Sequence, residues 1–246
     1  MDTPGVIAHR GLSGLAPENT MAAFRRALDI GVDMIELDVL LSADDQLVVF
    51  HDETLDRTTD GSGPVRERNL AQLKRLDAGG WFAGEFVRER IPILLEVLEL
   101  VGDRTLLNVE IKDEAVTDEV EGGITHRVIR LLRDNGFGDR VLLSSFDPRA
   151  LLHARELDPD IPRGALCNPR IHSIGSPIEI LEDTGAAALI LSRDQVNETI
   201  VAKCHQMHRA VLVYTVNEVD EMQRMISMGV DGLFTDRADV MLDLIR

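Results

Sequence analysis

Short apolar runs alternate with amphipathic segments along most of the chain. The apolar runs lie at 6–10, 105–112, 141–146, 163–167, 188–192, 211–216 and 232–235. Segments with helical spacing of apolar residues lie at 20–29, 70–76, 93–101, 118–135, 148–157, 177–184, 198–208, 218–228 and 238–245. Strands that alternate with helices run parallel and are joined by right-handed crossovers. The pattern therefore predicts an α/β protein, with Asn19 as the cap of the first helix and Gly31 at its end.

One stretch departs from this alternation. Two apolar runs there are separated by a connection too short for a crossover helix, and they lie at 34–42 and 46–52. They predict an antiparallel hairpin that turns at Asp44 and Asp45. A two-residue turn would set Asp38 opposite His51, on the face that carries Glu36. A register shifted by one residue would turn His51 to the other face.

The outgoing arm of the hairpin brings the number of predicted parallel strands to eight. Eight parallel strands with intervening helices form a closed (β/α)8 barrel, the TIM barrel. The returning arm must run antiparallel, and we predict that it lies above the barrel rim. A doubly wound open sheet is the competing fold, but it uses a Gly-rich phosphate turn that this sequence lacks.

Residues 53–90 interrupt the alternation with a polar stretch rich in Gly and Arg. This stretch contains one weak helical segment and the aromatic pair Trp81 and Phe82. A length of 246 residues suits either one large barrel or two small domains. We predict a single barrel domain over 1–246, with 53–90 as a small insertion.

Charge excludes two classes of partner. The formal net charge of −17 repels polyanions, so neither nucleic acid nor a stable association with an anionic membrane is expected. The first strand-like run begins too early for a signal peptide, and no apolar run approaches the ~20 residues of a membrane span. These features predict a cytoplasmic protein in which Cys167 and Cys204 are free thiols. The sequence does not specify an oligomeric state.

Three acidic residues interrupt apolar strands at predicted strand ends, where a barrel carries its active site: Glu36, Asp38 and Glu110. A charged group that faces a core needs a partner or a metal, although a lone pair of acids also occurs on a solvated strand face. Carboxylates alone suit one divalent cation, Mg²⁺ or Ca²⁺. Arg10 and Lys112 are the nearby cations that could meet a phosphate group.

Two histidines, His9 and His51, arrive at the same predicted face from different strands. Paired imidazoles suit general acid and general base catalysis near neutral pH, and a nucleophilic histidine is the alternative. His205 and His208 form a rival pair of ligands, but their spacing on a helix fits a solvated face better.

Eight motifs in this sequence resemble those of the glycerophosphodiester phosphodiesterase family, and they occur in the family's order over nearly the whole chain. They are His9-Arg10-Gly11, Pro17-Glu18-Asn19-Thr20, Glu36-Leu37-Asp38, His51-Asp52, Asn108-Val109-Glu110-Ile111-Lys112, Ser145-Phe146, Thr215-Val216-Asn217 and Gly229-Val230-Asp231-Gly232. The resemblance is to the bacterial, cytoplasmic type.

This resemblance implies a barrel of the phosphoinositide-phospholipase-C-like type. It implies that Glu36, Asp38 and Glu110 ligate the metal and that His9 and His51 form the acid/base pair. Tyr214 stands where the family usually has tryptophan, a difference that bears on how the substrate is held. With Tyr214, the residues Phe146 and Trp81 complete the predicted substrate contacts.

The implied activity is hydrolysis of small glycerophosphodiesters, such as glycerophosphocholine or glycerophosphoethanolamine, to glycerol 3-phosphate and an alcohol. A lysophospholipase D-like activity is the rival within the enzyme class. A barrel that has lost catalysis and acts as a binding module is the rival outside it. The intact histidines and acids argue against that last alternative.

Overall fold

The computed structural model describes residues 3–168 and 176–245, and in these ranges nine strands form one sheet. The strands are β1 (Gly5–Ala8), β2 (Met34–Leu41), β3 (Leu47–Val49), β4 (Leu106–Ile111), β5 (Val141–Ser145), β6 (Arg163–Cys167), β7 (Ala188–Ser192), β8 (Ala210–Tyr214) and β9 (Gly232–Thr235). Their buried positions are mostly Val, Ile, Leu and Ala, as expected for strands covered on both faces.

Eight of these strands close into a barrel. Each pairs in parallel with its neighbours, and β1 pairs with both β2 and β9, which joins the two ends of the sheet. The ninth strand, β3, pairs antiparallel with β2 and lies outside the ring. The predicted (β/α)8 barrel and the exclusion of the returning hairpin arm are therefore confirmed.

Helices follow the strands and surround the barrel. They are α1 (Met21–Ile30), α2 (Leu70–Leu73), α3 (Leu94–Val101), α4 (Ile124–Asp134), α5 (Pro148–Leu157), α6 (Pro177–Thr184), α7 (Glu198–Gln206), α8 (Val219–Ser227) and α9 (Ala238–Ile245). Three one-turn 3-10 helices lie at Val65–Glu67, Gly84–Phe86 and Asp113–Ala115. Among the described residues, none of the helices has the length and apolar character needed to cross a membrane.

Two helix starts differ from the prediction. Thr20, not Asn19, caps α1 by accepting a hydrogen bond from the Ala23 amide, because Asn19 adopts a left-handed φ of 55°. Helix α4 begins at Ile124 rather than near 118, since Gly122 has a φ of 83° that interrupts helical geometry. The predicted end of α1 at Gly31 is confirmed.

The hairpin pairs one residue away from the predicted register. Val39 pairs with Val49, and the Phe50 amide donates to the Asp38 carbonyl at 3.0 Å. Asp38 therefore lies opposite Phe50, and the prediction that it faces His51 is wrong. His51 lies beyond the last residue of β3.

The hairpin loop explains this shift. The Ser42 amide donates to the Gln46 carbonyl at 3.0 Å, so the connection has three residues rather than two. Its last residue, Asp45, has a φ of 56°, the left-handed conformation that such a loop requires and that aspartate tolerates. His51 then reaches the barrel mouth from outside the strand ladder.

Strand β2 continues past the rim and anchors residues 53–90. Side chains alternate along a strand, so Leu40 lies on the same face as Glu36 and Asp38 but farther along. Leu40 belongs to a buried apolar cluster that joins the hairpin to this segment, with Val48, Phe50, Leu55, Val65, Leu73, Ala78 and Ile91.

Phe24 on α1 gives a direct test of packing between the helices and the barrel. Its side chain is fully buried in the main core. We expect Phe24→Ala to lower the free energy of unfolding by about 3–5 kcal/mol through lost contacts and a cavity. Leu152→Ala, at a helical position that is 37% exposed, should change it by less than ~0.5 kcal/mol. Urea unfolding followed by circular dichroism measures both, and equal losses would contradict the assignment of Phe24 to the core.

Candidate active site

Three carboxylates meet where β2 and β4 approach the barrel mouth. Asp38 and Glu110 are register partners on these parallel strands, and Glu36 lies two residues earlier on β2. Candidate ligand atoms of the three side chains all lie within 4.8 Å of one another, and all three side chains are buried. The structure thus brings together the three acids that the sequence suggested as metal ligands.

The turn after β1 supplies the polar partners of β2. The Arg10 amide donates to Glu36 Oε2 at 2.7 Å, and Asn19 Nδ2 donates to Asp38 Oδ2 at 2.8 Å. Arg10 and Gly11 have φ angles of 56° and 81°, which turn the backbone toward the acids. A Cβ atom at Gly11 would lie 2.7 Å from the carbonyl carbon of Ala23, so this turn requires glycine.

Two cations border the acidic cluster. Lys112 Nζ donates to Glu110 Oε1 at 2.8 Å and lies 3.6 Å from Asp38 Oδ1. Arg10 Nε lies 3.4 Å from Asp38 Oδ2. Burial opposes ionisation of Asp38, yet the charges of Arg10 and Lys112 outweigh it and hold the Asp38 pKa below its usual value. The cations therefore favour the charged form of this one acid.

Glu36 remains short of positive charge. Burial raises its pKa well above the usual value, and repulsion from Asp38 and Glu110 raises that pKa further. Among the described residues, Asp38 Oδ1 is also a buried acceptor with no hydrogen-bond partner. A buried cluster of three oxygen donors with excess negative charge fits a hard divalent cation such as Mg²⁺ or Ca²⁺.

His9 is held by an aspartate that directly follows β9. Its Nδ1 atom lies 2.7 Å from Asp236 Oδ1, and Asn217 Nδ2 donates to the other carboxylate oxygen at 2.7 Å. Ser13 Oγ also donates to Asp236 Oδ1, at 3.0 Å. Burial opposes ionisation of Asp236, but these hydrogen bonds and the His9 charge outweigh it and lower the Asp236 pKa to about 2. An ionised Asp236 accepts a hydrogen bond from His9 Nδ1 when that nitrogen carries the proton.

His51 has a matching partner from its own segment. Its Nδ1 atom lies 2.6 Å from Asp52 Oδ1. Burial opposes ionisation of Asp52, but hydrogen bonds from Arg57 and His51 outweigh it and lower the Asp52 pKa to about 2. Burial also lowers the pKa of His51 itself, against the attraction of Asp38. The neutral imidazole, which can accept a proton, is therefore favoured.

Both histidines line one cavity of about 420 Å³ at the barrel mouth. An Nδ1–H bonded to a carboxylate leaves Nε2 as the ring nitrogen that can exchange a proton with a ligand. Eight of the predicted site residues line this cavity: His9, Arg10, Glu36, His51, Glu110, Lys112, Phe146 and Tyr214.

Aromatic side chains form part of the cavity wall. The rings of Phe146 and Tyr214 meet edge to face, with centroids 5.9 Å apart. The Tyr214 hydroxyl donates to the Cys167 carbonyl at 2.9 Å, which fixes the ring. Leu166 and Phe234 add apolar surface, so one part of the cavity is apolar and the other charged.

Trp81 and His205 lie elsewhere. Trp81 is 42% exposed, and its indole nitrogen donates to the Ala78 carbonyl at 2.9 Å. It is not among the residues that line the cavity, so its role in substrate binding stays a prediction. His205 Nε2 lies 2.9 Å from Asp231 Oδ2, so this histidine is paired with a carboxylate near the start of β9.

Sequence reasoning missed the residues that hold the histidines. Asp236 directly follows β9, 227 positions from His9, and Asp52 follows His51 directly. Both belong to the polar residues found at strand ends and beside the histidines, and that position was the available signal. It did not say which carboxylate bonds to which ring.

Acid lability tests the link between Asp236 and His9. An aspartate in an unfolded chain titrates near pH ~3.9, and the folded value is about 2. The charged form therefore stabilises the fold above pH ~4, and this contribution is lost as pH falls toward 2. We expect Asp236→Asn to be less stable than wild type at pH 6 by about 1 kcal/mol, after allowing for solvent screening of a partly exposed group.

The same comparison at pH 3 should show a smaller difference. Urea unfolding of wild type and Asp236→Asn at pH 6 and pH 3 measures the difference in the free energy of unfolding at each pH. A difference that does not change with pH would mean that Asp236 is not held in its charged form by these partners.

The sequence matches the glycerophosphoryl diester phosphodiesterase family over residues 9–240. A glycerophosphodiester phosphodiesterase of Caldanaerobacter subterraneus is 40% identical over 242 residues, covering 98% of this chain and 97% of that relative. Another, from Bacillus altitudinis, is 37% identical over 236 residues and covers 95% of each chain.

Solved structures agree with these sequence matches. A phosphodiesterase of Oleispira antarctica in complex with the product sn-glycerol-3-phosphate has a TM-score of 0.90 and 35% identity, over 99% of this chain and 97% of that one. A glycerophosphodiester phosphodiesterase of Agrobacterium tumefaciens has a TM-score of 0.84 and 30% identity, over 98% and 99%. Sequence and fold together show that the chain belongs to the glycerophosphoryl diester phosphodiesterase family.

Proposed function

We propose that this chain, a glycerophosphodiester phosphodiesterase by family, hydrolyses small glycerophosphodiesters with His9 and His51 as the acid/base pair. Glycerophosphocholine and glycerophosphoethanolamine are the proposed substrates, and glycerol 3-phosphate and the free alcohol are the products. One observation carries the proposal: two histidines, each bonded through Nδ1 to an aspartate, line the same cavity as a buried carboxylate cluster.

Each histidine would act through Nε2. One imidazole accepts the proton of the attacking oxygen, which belongs either to water or to the substrate's own glycerol hydroxyl, and the other donates a proton to the departing alcohol oxygen. The bonded aspartates hold both rings in the tautomer that this exchange needs. They also stabilise the imidazolium that forms when a ring gains a proton.

Arg10 and Lys112 would bind the phosphate group. The Arg10 guanidinium can meet two phosphate oxygens, while Lys112 offers a compact positive charge. Both side chains line the cavity and are largely buried, so their attraction for an anion is screened less than at the surface. The product bound by the Oleispira antarctica relative is a phosphate monoester, which agrees with this assignment.

Glu36, Asp38 and Glu110 would hold one divalent cation, Mg²⁺ or Ca²⁺. Such an ion, when bound, offsets the negative charge that grows on phosphate oxygens during cleavage. The supporting observation is the buried Asp38 Oδ1 atom, which finds no hydrogen-bond partner among the described residues.

The apolar part of the cavity would receive the alcohol. The faces of Phe146 and Tyr214 suit a cationic group such as choline, because aromatic rings attract cations. We further infer that the chain works as one barrel, with 53–90 as an insertion held by the Leu40 cluster, and acts in the cytoplasm on free substrates. The net charge of −17 supports the lack of any stable association with nucleic acid or an anionic membrane.

One observation favours a lysophospholipase D-like activity as the second candidate. Three large apolar side chains are exposed on the loop before α1 and on the insertion: Leu15, Trp81 and Val87. Exposed apolar surface can mark a binding site for a lipid or another apolar group. This candidate differs from the first in its substrate, not in its chemistry.

Phosphorus NMR of the purified protein tests both candidates. The panel contains glycerophosphocholine, glycerophosphoethanolamine and lysophosphatidylcholine, with Mg²⁺ or Ca²⁺ present. We expect the first two to give a glycerol 3-phosphate signal. Cleavage of lysophosphatidylcholine alone would select the second candidate, and no cleavage of any diester would indicate a non-catalytic binding barrel.

A further inference from the structure

Arg57, in the segment that follows the hairpin, lies between two carboxylates from different parts of the chain. Its guanidinium donates from Nε to Asp52 Oδ2 at 2.6 Å and from Nη2 to Asp52 Oδ1 at 2.9 Å. It also donates from Nη1 to Glu18 Oε2 at 2.7 Å and from Nη2 to Glu18 Oε1 at 2.8 Å. Each of the two carboxylates thus accepts two hydrogen bonds from Arg57, the geometry that a planar guanidinium allows.

Each of these carboxylates has a second partner that lines the cavity. Asp52 Oδ1 lies 2.6 Å from His51 Nδ1. Glu18 Oε1 accepts a hydrogen bond from Arg10 Nη1 at 2.7 Å. A continuous chain of hydrogen bonds therefore runs from the ring of His51, through Arg57, to the guanidinium of Arg10.

We infer that Arg57 is a positioning residue, which aligns His51 through Asp52 and Arg10 through Glu18. The inference rests on the proposed roles of His51 and Arg10. It assigns the insertion a part in the reaction, because one insertion side chain sets the orientation of two groups on separate loops of the barrel.

A purely stabilising role does not account for this arrangement. The Arg57 side chain is 47% exposed, and exposed ion pairs add little to stability. Glu18 is only 14% exposed. Without Arg57, its one remaining cationic partner among the described residues would be Arg10, and Glu18 would compete with the substrate phosphate for the Arg10 guanidinium. Asp52 would lose both hydrogen bonds that keep it from rotating away from His51.

Arg57→Ala and Arg57→Lys test the inference with glycerophosphocholine as substrate and Mg²⁺ present. Residues that orient metal-ligating side chains typically contribute about 10- to 100-fold, and we expect a similar factor here, so that Arg57→Ala lowers kcat by about that much and raises KM. Lysine has no planar fork and should restore little of the loss. Added guanidinium ion should recover part of the activity of Arg57→Ala, because the site is open to solvent.

The double variant Arg57→Ala/His51→Ala separates positioning from bulk effects. If Arg57 acts on kcat through His51, the double variant should have the same kcat as His51→Ala alone. If the kcat loss in the double variant equals the product of the losses in the two single variants, the inference is overturned. A wild-type kcat and KM in Arg57→Ala would overturn it as well. Full activity in His51→Ala would instead contradict the proposed function, so the two failures are distinguishable.

Arg133→Ala is the matched control. Arg133 is also a partly exposed arginine, at 37%, that bridges two carboxylates, Asp139 and Asp158, near the end of α4. We expect its kcat and KM to equal those of wild type. An equal loss in both arginine variants would show that any bridging arginine has this effect and would overturn the inference.

Discussion

We expect His51→Ala to lower kcat on glycerophosphocholine by roughly 10²- to 10⁴-fold, the range that follows when a general acid or base is removed. The ring lines the cavity, and its Nδ1 is bonded to Asp52 at 2.6 Å. Alanine leaves no group there that can exchange a proton near neutral pH. The measurement is steady-state release of choline, with circular dichroism to verify folding. His9→Ala should fall in the same range, because Asp236 holds its ring in the same way.

His205→Ala is the matched control for both histidine variants. His205 is also bonded to an aspartate, at 2.9 Å, but it does not line the cavity. It should retain the wild-type kcat. A loss of kcat in His205→Ala comparable to that in His51→Ala would contradict the placement of the active site in the cavity lined by His9 and His51.

We expect removal of divalent cations to abolish turnover, and we expect Mg²⁺ or Ca²⁺ to restore it. A cation at a phosphoryl group contributes several kcal/mol, which corresponds to about a thousandfold or more in rate. Glu36, Asp38 and Glu110 are buried together with more negative charge than Arg10 and Lys112 offset. Activity is measured after chelation with EDTA, then during titration with each metal.

Metal binding can be followed without the reaction. Isothermal titration with Mg²⁺ and with Ca²⁺ should show one site in wild type and none in Asp38→Ala. Asp103→Ala, at an exposed position, should bind metal as wild type does. Full activity in the chelated protein, or unchanged binding in Asp38→Ala, would contradict the assignment of these carboxylates as ligands.

The barrel and its acids were predictable because their signals are local. Each parallel strand is an apolar run, and a charge within such a run stands out, as at Glu36 and Glu110. Strand ends in a barrel meet at one face whatever their separation in sequence. The acids could therefore be placed together before any contact between them was known.

Features that depend on backbone conformation were not predictable in the same way. The hairpin register depended on whether Asp45 would adopt a positive φ, and composition does not decide that. Asn19 has the chemistry of a helix cap, but its left-handed backbone sends its amide to Asp38 instead. The bond between His9 and Asp236 joins the two ends of the barrel sequence, so no local pattern could specify it.

The close approach of Gly11 to Ala23 has a consequence for protein engineering. A side chain at position 11 has no room beside the carbonyl carbon of Ala23, and a larger residue at Ala23, which is itself fully buried, would press on the same turn. A combinatorial library that randomises α1 to improve thermostability would therefore inactivate many of its members through Arg10, whose amide bonds to Glu36. Directed evolution of substrate range should hold these two positions constant and diversify the proposed substrate contacts, Phe146 and Tyr214.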